Sequence, residues 1–156
     1  MVGERKTFNM DEFFAGLKTW WATKTTDLFY VGIGGRLRNG IARQDETYPY
    51  CVFTQIDGFP EYFVDSGHDT LEFIEIQLDI YSESNAEVLA LSKKAKSLFD
   101  NASFSVSGYG FIKQLMRTRG LLMPPEMTGL VGKTEFDFIV YRYLLTYEAS
   151  FQKNRT

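Results

Sequence analysis

The sequence predicts an α+β domain in which a mostly antiparallel sheet has two α-helices packed on one face and includes a long β-hairpin loop. Three observations predict this class: a strictly alternating stretch over 70–82, a capped helical pattern directly after it, and a strand, apolar loop and strand over 109–151. The 156 residues are expected to form one domain, 1–156, in which residues 1–8 are a loose N-terminal arm.

The stretch 70–82 is the clearest strand in the sequence. Aliphatic residues occupy alternate positions and polar residues lie between them: Ile74, Ile76, Leu78 and Ile80 against Glu75, Gln77 and Asp79. Because successive side chains of a strand point to opposite faces, this pattern predicts one dry and one polar face. We expect a helix to cover the aliphatic face, which leaves the polar face to water or to another subunit.

The covering helix is predicted to follow at once. Ser84 and Glu87 form a capping-box pattern, in which the Ser84 hydroxyl accepts from the N–H three residues on and Glu87 reaches back to the Ser84 N–H. An apolar stripe at helical spacing comes next: Val88, Leu91, Ala95 and Leu98. The helix is expected to end near Asp100.

A first helix is predicted from an N-cap at Asn9 to about Thr23, with Glu12 completing the capping pattern. Its apolar stripe includes Trp20 and Trp21. Two interpretations stand for these tryptophans, core packing and an exposed anchor for a partner.

Residues 25–47 are interpreted as a long connection with a short strand over 37–42. Its glycines, Gly32, Gly34, Gly35 and Gly40, do not indicate a dinucleotide site, because a helix precedes them and a polar loop follows. We expect them to serve turns that need positive φ. Beyond this connection, Pro49 opens a strand over 50–56, and a turn at 57–58 leads to a further short strand over 61–65.

The C-terminal third is predicted as two strands and the loop between them. The strand 109–119 places Ile112, Gln114 and Met116 on one face and Lys113, Leu115, Arg117 and Arg119 on the other. The loop 120–133 is rich in aliphatic residues and methionine, which is unusual for an exposed loop of a monomer. The closing strand, 134–151, is apolar on both faces, so its second face should meet a helix, a second layer or a neighbouring subunit.

Composition and motifs exclude several classes of function. A net charge of −3 argues against a dedicated nucleic-acid binder, and the single Cys51 cannot form an intrachain disulfide. No apolar run is long enough to span a bilayer. The single His68 has no partners of a metal or catalytic motif, and residues 129–134 resemble a phosphate loop only in part, because Met127 replaces the required glycine and a strand follows. We therefore predict no enzymatic activity, no metal and no cofactor.

Several short signals in order carry a resemblance to a known family. They are Gly34-Gly35-Arg36, Pro49-Tyr50-Cys51-Val52, the strand end Ile76–Ser82 that runs into the Ser84 cap, the basic strand end Arg117-Thr118-Arg119, and the long closing strand. With these signals, from about Asp11 to Phe151, the chain resembles the tail-completion, or tail-terminator, proteins of tailed bacteriophages and prophages, which are neck components that join head and tail.

The resemblance implies a structural role. Such proteins are α+β domains that assemble as a hexameric ring, cap the tail tube, stop its growth and present a surface to the head connector, without enzymatic activity. The implied partners are further copies of the chain, the tail tube protein and the head–tail connector proteins. The implied location is the tail or neck of the virion, after synthesis in the bacterial host cytoplasm, and no membrane is involved.

Candidate interface residues come from the basic strand ends and the apolar loop. They are Arg36, Arg38, Arg117, Arg119, Leu121, Leu122, Met123, Met127 and Leu130. The arginines are candidates for links between subunits or for non-specific contact with passing DNA, and solvated surface is the alternative for each. The loop residues are expected to pack on a neighbour or on the tube. The alternative function is a small binding module that holds an apolar ligand on its aromatic sheet face.

Overall fold

The computed structural model describes residues 10–40, 46–56, 60–62, 70–127 and 139–153. The elements within them are α1 (Met10–Ala22), α2 (Leu28–Gly32), β1 (Leu37–Asn39), β2 (Tyr50–Ile56), β3 (Pro60–Tyr62), β4 (Thr70–Ser82), α3 (Asn85–Phe99), β5 (Tyr109–Leu122), β6 (Glu126–Met127) and β7 (Ile139–Lys153).

Five strands lie side by side in the order β1-β2-β4-β7-β5, while β3 pairs with β4 and β6 pairs with β7. The β1–β2 pair is parallel, and the other described pairs are antiparallel. Helix α3 packs on β4 and β7, and α1 contributes Phe13 to the same face, where its ring stands 5.7 Å from that of Phe151. The predicted fold class is confirmed.

The core lies between the sheet and the helices. The predicted dry face of β4 is buried over all four aliphatic positions, Ile74, Ile76, Leu78 and Ile80. Phe99 at the end of α3 joins the layers, because its ring lies 5.4 Å from Trp20, 6.0 Å from Phe29 and 6.1 Å from Tyr147. Trp21 is buried beside Phe99, and the partly buried Trp20 also packs on it. Both tryptophans therefore agree with the core-packing interpretation.

The cap of α3 is confirmed in one half and differs in the other. The Glu87 N–H donates to the Ser84 hydroxyl at 3.2 Å, as predicted. The Ser84 N–H, however, donates to the Ser82 hydroxyl, which in turn donates to the Glu87 carboxylate. The Ser82 hydroxyl therefore bridges the Ser84 N–H and the Glu87 carboxylate, which a capping box joins directly. It can do so because Ser82 is the last residue of β4 and lies next to the cap.

The predicted long connection contains a third helix, α2. Asp27 caps it, since the Phe29 N–H donates to the Asp27 carboxylate at 2.8 Å. Gly32 is the last helical residue, so the expectation of positive φ is wrong there, and it holds at Gly34, Gly35 and Gly40. The strand that follows, β1, ends at Asn39 and is shorter than predicted.

The polar face of β4 is less exposed than expected. Asp79 is only 4% exposed, because the Arg142 Nε donates to its carboxylate at 2.8 Å and the Gln77 amide donates to the other oxygen. The sequence pattern marks Asp79 as solvated or interfacial. The structure shows instead that Asp79 pairs with Arg142 of the same chain, 63 positions away.

The C-terminal strands differ from prediction at their ends. Strand β5 extends to Leu122 and residues 126–127 form β6, so five of the eight described residues of the predicted loop 120–133 are strand. The part of that loop over 128–133 lies outside the described residues. Irregular register between Arg117 and Arg119 places Arg117 opposite Tyr147 and Arg119 opposite Thr146, on different faces, which corrects their predicted common face. The second face of β7 is also more polar than expected, with Thr146, Glu148 and Ser150 on it.

Five further predictions fall partly or wholly outside the described residues. Strand β3 begins at Pro60, and the predicted strand 61–65 is described only to Tyr62. The predicted cap Asn9, the turn 57–58 and His68 lie outside the described residues, as does the part of the closing strand before Ile139.

Candidate assembly surface

Strand β5 is the last strand in the sheet order, and among the described residues no strand pairs with its second side. Such an edge presents backbone N–H and C=O groups that a further extended segment can use. At Leu115 both groups are already taken, because its N–H donates to the Ala102 carbonyl and its carbonyl accepts from the Asn101 N–H. Most of the strand is open to solvent, since Gln114 and residues 116–122 are exposed and Leu115 is the buried exception. We call this exposed segment, 114–122, the β5 edge.

Three large apolar side chains stand on the β5 edge. Met116 is 46% exposed, Leu121 is 48% exposed and Leu122 is 38% exposed. Leu121 pairs with Leu144 on the face away from the helices, whereas Leu122 lies opposite Tyr143 on the helix side. Apolar area thus wraps around the end of the strand, on both faces of the sheet.

The basic residues of the β5 edge differ in their partners. Arg117 approaches the Asp100 carboxylate at 3.5 Å, and the same carboxylate accepts from the Tyr147 hydroxyl at 2.7 Å. Burial, with the nearby Asp100 charge, raises the pKa of Tyr147, so the phenol stays a donor. Arg119 is exposed and has no ion-pair partner within the part of the chain that the structure describes.

The two other predicted arginines lie at the opposite end of the sheet and have partners within the chain. Arg36 donates from Nε to the Pro49 carbonyl at 3.0 Å. Arg38 forms a bidentate contact with Glu46 at 3.0 and 3.1 Å, and this hydrogen bond raises the pKa of Arg38. Because β1 and β5 end the strand order on opposite sides, one subunit does not bring the two arginine pairs together.

The remaining predicted residues follow the β5 edge along the hairpin. Met123 is half-buried, and its N–H donates to the Arg142 carbonyl at 2.9 Å. Met127 lies in β6 with its backbone opposite Ile139. Leu130 lies outside the described residues.

A second exposed apolar pair escaped the sequence analysis. Leu28 is 69% exposed and Val31 is 61% exposed, and both project from α2. The signal was present as the Asp27 cap followed by apolar residues three apart, but a five-residue helix gives too short a pattern to detect.

A cavity of about 550 Å³ opens beside the start of α3. The segment before β2 and the α3 cap line it together: Glu46, Thr47, Tyr48, Pro49, Glu83, Ser84 and Glu87. Of its three acidic residues, Glu83 and Glu87 are exposed.

The described residues offer little for catalysis. No group of three histidine, cysteine or acidic residues that could hold a metal occurs among them. Cys51 is fully buried, and burial raises the pKa of its thiol, which suppresses the reactive thiolate. In the same described ranges, no helix has both the length and the apolar character to cross a bilayer.

Comparison with known proteins gives a likeness of fold. No protein-family model matches the sequence, and no curated protein sequence matches it. Among solved structures, the fold is similar to that of a chain described as "Virion of native gene transfer agent (GTA) particle", with a TM-score of 0.60 and 9% sequence identity. The similarity covers 89% of this chain and 96% of that one. At this identity, the comparison establishes a shared fold.

Proposed function

We propose that this protein is a structural component of a phage-like virion, and that within it the chain is the tail-completion protein. In this role it forms a ring on the end of the tail tube, stops tube growth and joins the tail to the head connector. The observation that carries the proposal is the fold similarity to a virion chain over nearly the full length of both chains. Agreement over a whole domain is more informative than agreement over one common supersecondary motif.

The surface of the molecule supports a role in assembly. Exposed apolar area marks surfaces that bind other chains, and a strand edge with unpaired backbone groups is a second such feature. The β5 edge supplies both, and α2 supplies further apolar area through Leu28 and Val31.

The alternative, a module that binds an apolar ligand on its aromatic sheet face, meets a packing obstacle. The rings of that face are already in contact with the helices: Phe53 stacks on Phe13 at 6.2 Å, and Tyr147 lies 6.1 Å from Phe99. A ligand would therefore have to displace α1 or α3 from the core.

Native mass spectrometry at low and high protein concentration tests the ring. We expect a species of six 18.0 kDa chains without a retained small molecule. A monomer that carries one ligand per chain supports the binding module instead, and a bare monomer at every concentration contradicts a self-assembling ring.

Electron microscopy of particles from a host that lacks the gene tests tail completion itself. If the chain terminates the tube, the mutant tails should be longer and more variable in length than wild-type tails, and they should lack heads. Restoring the intact gene is the control. Tails of normal length attached to heads in the mutant contradict this role, whatever the oligomeric state.

A further inference from the structure

The molecule carries two different exposed apolar surfaces, one on the last strand of the sheet and one on a helix of the layer that covers it. The first is the β5 edge, with Met116, Leu121 and Leu122. The second belongs to α2, which packs on α3 and which residues 33–36 join to β1. We call the exposed side of α2, together with the exposed acidic residues that line the neighbouring cavity, the α2 surface. Its apolar residues are Leu28 and Val31.

The two surfaces also differ in charge. Arg119 on the β5 edge has no ion-pair partner among the described residues, and Arg117 adds a second, partly exposed positive charge. On the α2 surface, Glu83 and Glu87 line the cavity and are exposed, while the nearby Arg36 and Arg38 contact Pro49 and Glu46 of their own chain. The cavity lies near α2, because α2 packs on α3, whose cap residues Ser84 and Glu87 are part of the lining.

Two copies of one surface are poorly suited to each other here. A two-fold contact between β5 edges would place arginines against arginines, which electrostatic complementarity disfavours. A contact between a β5 edge and an α2 surface pairs apolar with apolar area and positive with negative charge. Contacts between two different surfaces repeat around an axis and form a ring when the rotation closes.

We propose that successive copies of the chain associate head to tail, with the β5 edge of one copy seated on the α2 surface of the next. The inference rests on the proposed assembly role and names the surfaces that carry it. Leu121 packs against Leu28 and Val31 of the neighbour, and Arg119 reaches the exposed acidic residues of the same α2 surface.

The test uses one disabling substitution on each surface of the full chain. Leu121→Glu disables the β5 edge, Val31→Glu disables the α2 surface, and Lys18→Glu on α1 is a control for added negative charge outside both. By analytical ultracentrifugation, each disabling variant alone should associate at least tenfold more weakly than wild type, while Lys18→Glu should associate normally. Both positions are exposed, so the thermal unfolding of the two variants should match that of the wild type. If a variant unfolds at a lower temperature, the milder substitution Leu121→Gln or Val31→Thr is used in its place.

Mixing the two disabled variants gives the decisive result. Each heterotypic pair retains one intact junction, formed by the β5 edge of the Val31→Glu chain and the α2 surface of the Leu121→Glu chain. The mixture should therefore form dimers, although neither variant does so alone. A mixture that stays monomeric contradicts the head-to-tail contact.

Failure of this contact differs from failure of the proposed function. If the wild type forms a ring and both disabling variants still form it, the named surfaces are wrong and the ring itself stands. A wild-type chain that never associates overturns the ring, and normal tails in the gene-deletion host overturn tail completion.

Discussion

The helix-covered face of the sheet and the β5 edge both carry large apolar side chains, but these are buried on the first and exposed on the second. Around Phe99, apolar groups of the three helices and the sheet pack against one another, and Phe99, Phe29 and Tyr147 are fully buried. On the β5 edge, Leu121 and Met116 are about half exposed although both pair with β7 in the sheet. The difference indicates that the first region holds the domain together, whereas the second is available for contacts with other chains.

The largest expected effect is at Phe99. Phe99→Ala should lower the free energy of unfolding by about 3–5 kcal/mol, because it removes a ring that contacts both other helices and β7 and leaves a cavity. Urea unfolding followed by circular dichroism measures the loss. Leu122→Ala is the matched control, with an expected loss below about 1 kcal/mol because the side chain is partly exposed. Equal losses at the two positions would remove the distinction between the regions.

The next effect tests the ion pair on the sheet face away from the helices. Asp79→Asn should cost about 3 kcal/mol, because it removes the buried carboxylate charge that accepts from the partly buried Arg142 guanidinium. The control is Arg117→Gln, which breaks the longer and more exposed contact with Asp100 and should cost below about 1 kcal/mol. Chemical denaturation at constant pH compares the two. A negligible loss at Asp79 would mean that burial of the pair contributes nothing to stability.

Tyr147 offers a pH-dependent test of the core. Its pKa is raised by burial and by Asp100, so the folded phenol keeps its proton where the unfolded phenol, with a pKa of about 10, loses it. The associated stability is present below pH 10 and falls as the pH rises above it. Tyr147→Phe should cost about 1–2 kcal/mol at neutral pH through the lost hydrogen bond to Asp100.

The same variant should flatten the alkaline decline. Denaturant unfolding at intervals between pH 8 and pH 11 measures the slope. A residual slope is expected, because burial also raises the pKa of Tyr50 and of the Cys51 thiol. An unchanged slope in Tyr147→Phe would contradict the protonated, hydrogen-bonded phenol in the folded state.

The parts of the fold that the sequence predicted are those governed by neighbouring residues. Alternation at Ile74–Ile80 and the Ser84 cap are local signals, and the structure bears out β4 and α3 at the predicted positions. The pairing of Asp79 with Arg142 and the extension of β5 to Leu122 depend on residues distant in the chain. Local patterns do not contain this information, since propensity and periodicity act over a few residues while register is set by the whole sheet.

The candidate surface was predicted in composition but not in arrangement. The apolar composition of the segment containing Leu121 and Leu122 predicts a contact surface, and both side chains are exposed, but they lie in a strand and not in a loop. Arg36 and Arg38 were grouped with Arg117 and Arg119 by residue type, yet Arg38 pairs with Glu46 of its own chain. Whether an arginine is free for a partner depends on which acids the fold brings near it, and this is a tertiary property.

A smaller effect is expected at the cap of α3. Ser84→Ala should lower stability by about 1 kcal/mol, because the Glu87 N–H loses its acceptor at the first turn. Ser97→Ala, which removes an exposed contact to the Lys93 carbonyl, is the control and should change stability by less than about 0.5 kcal/mol. Thermal unfolding distinguishes them. The Ser82 bridge predicts that Ser82→Ala costs at least as much as Ser84→Ala, because the Ser82 hydroxyl contacts both the Ser84 N–H and Glu87.

The smallest effect on stability is expected on the β5 edge, and it separates the two regions most sharply. Leu121→Gln should change the free energy of unfolding by less than about 0.5 kcal/mol, because about half of the side chain is already in water and glutamine preserves its length. If the edge serves association, the same substitution should still weaken self-assembly, which sedimentation velocity measures on the same sample. Phe99→Ala should show the reverse, a large loss of stability with normal association wherever the chain remains folded. A Leu121→Gln chain that unfolds easily would mean that Leu121 belongs to the core after all, and exposure of an apolar residue in an edge strand would then be no guide to the assembly surface.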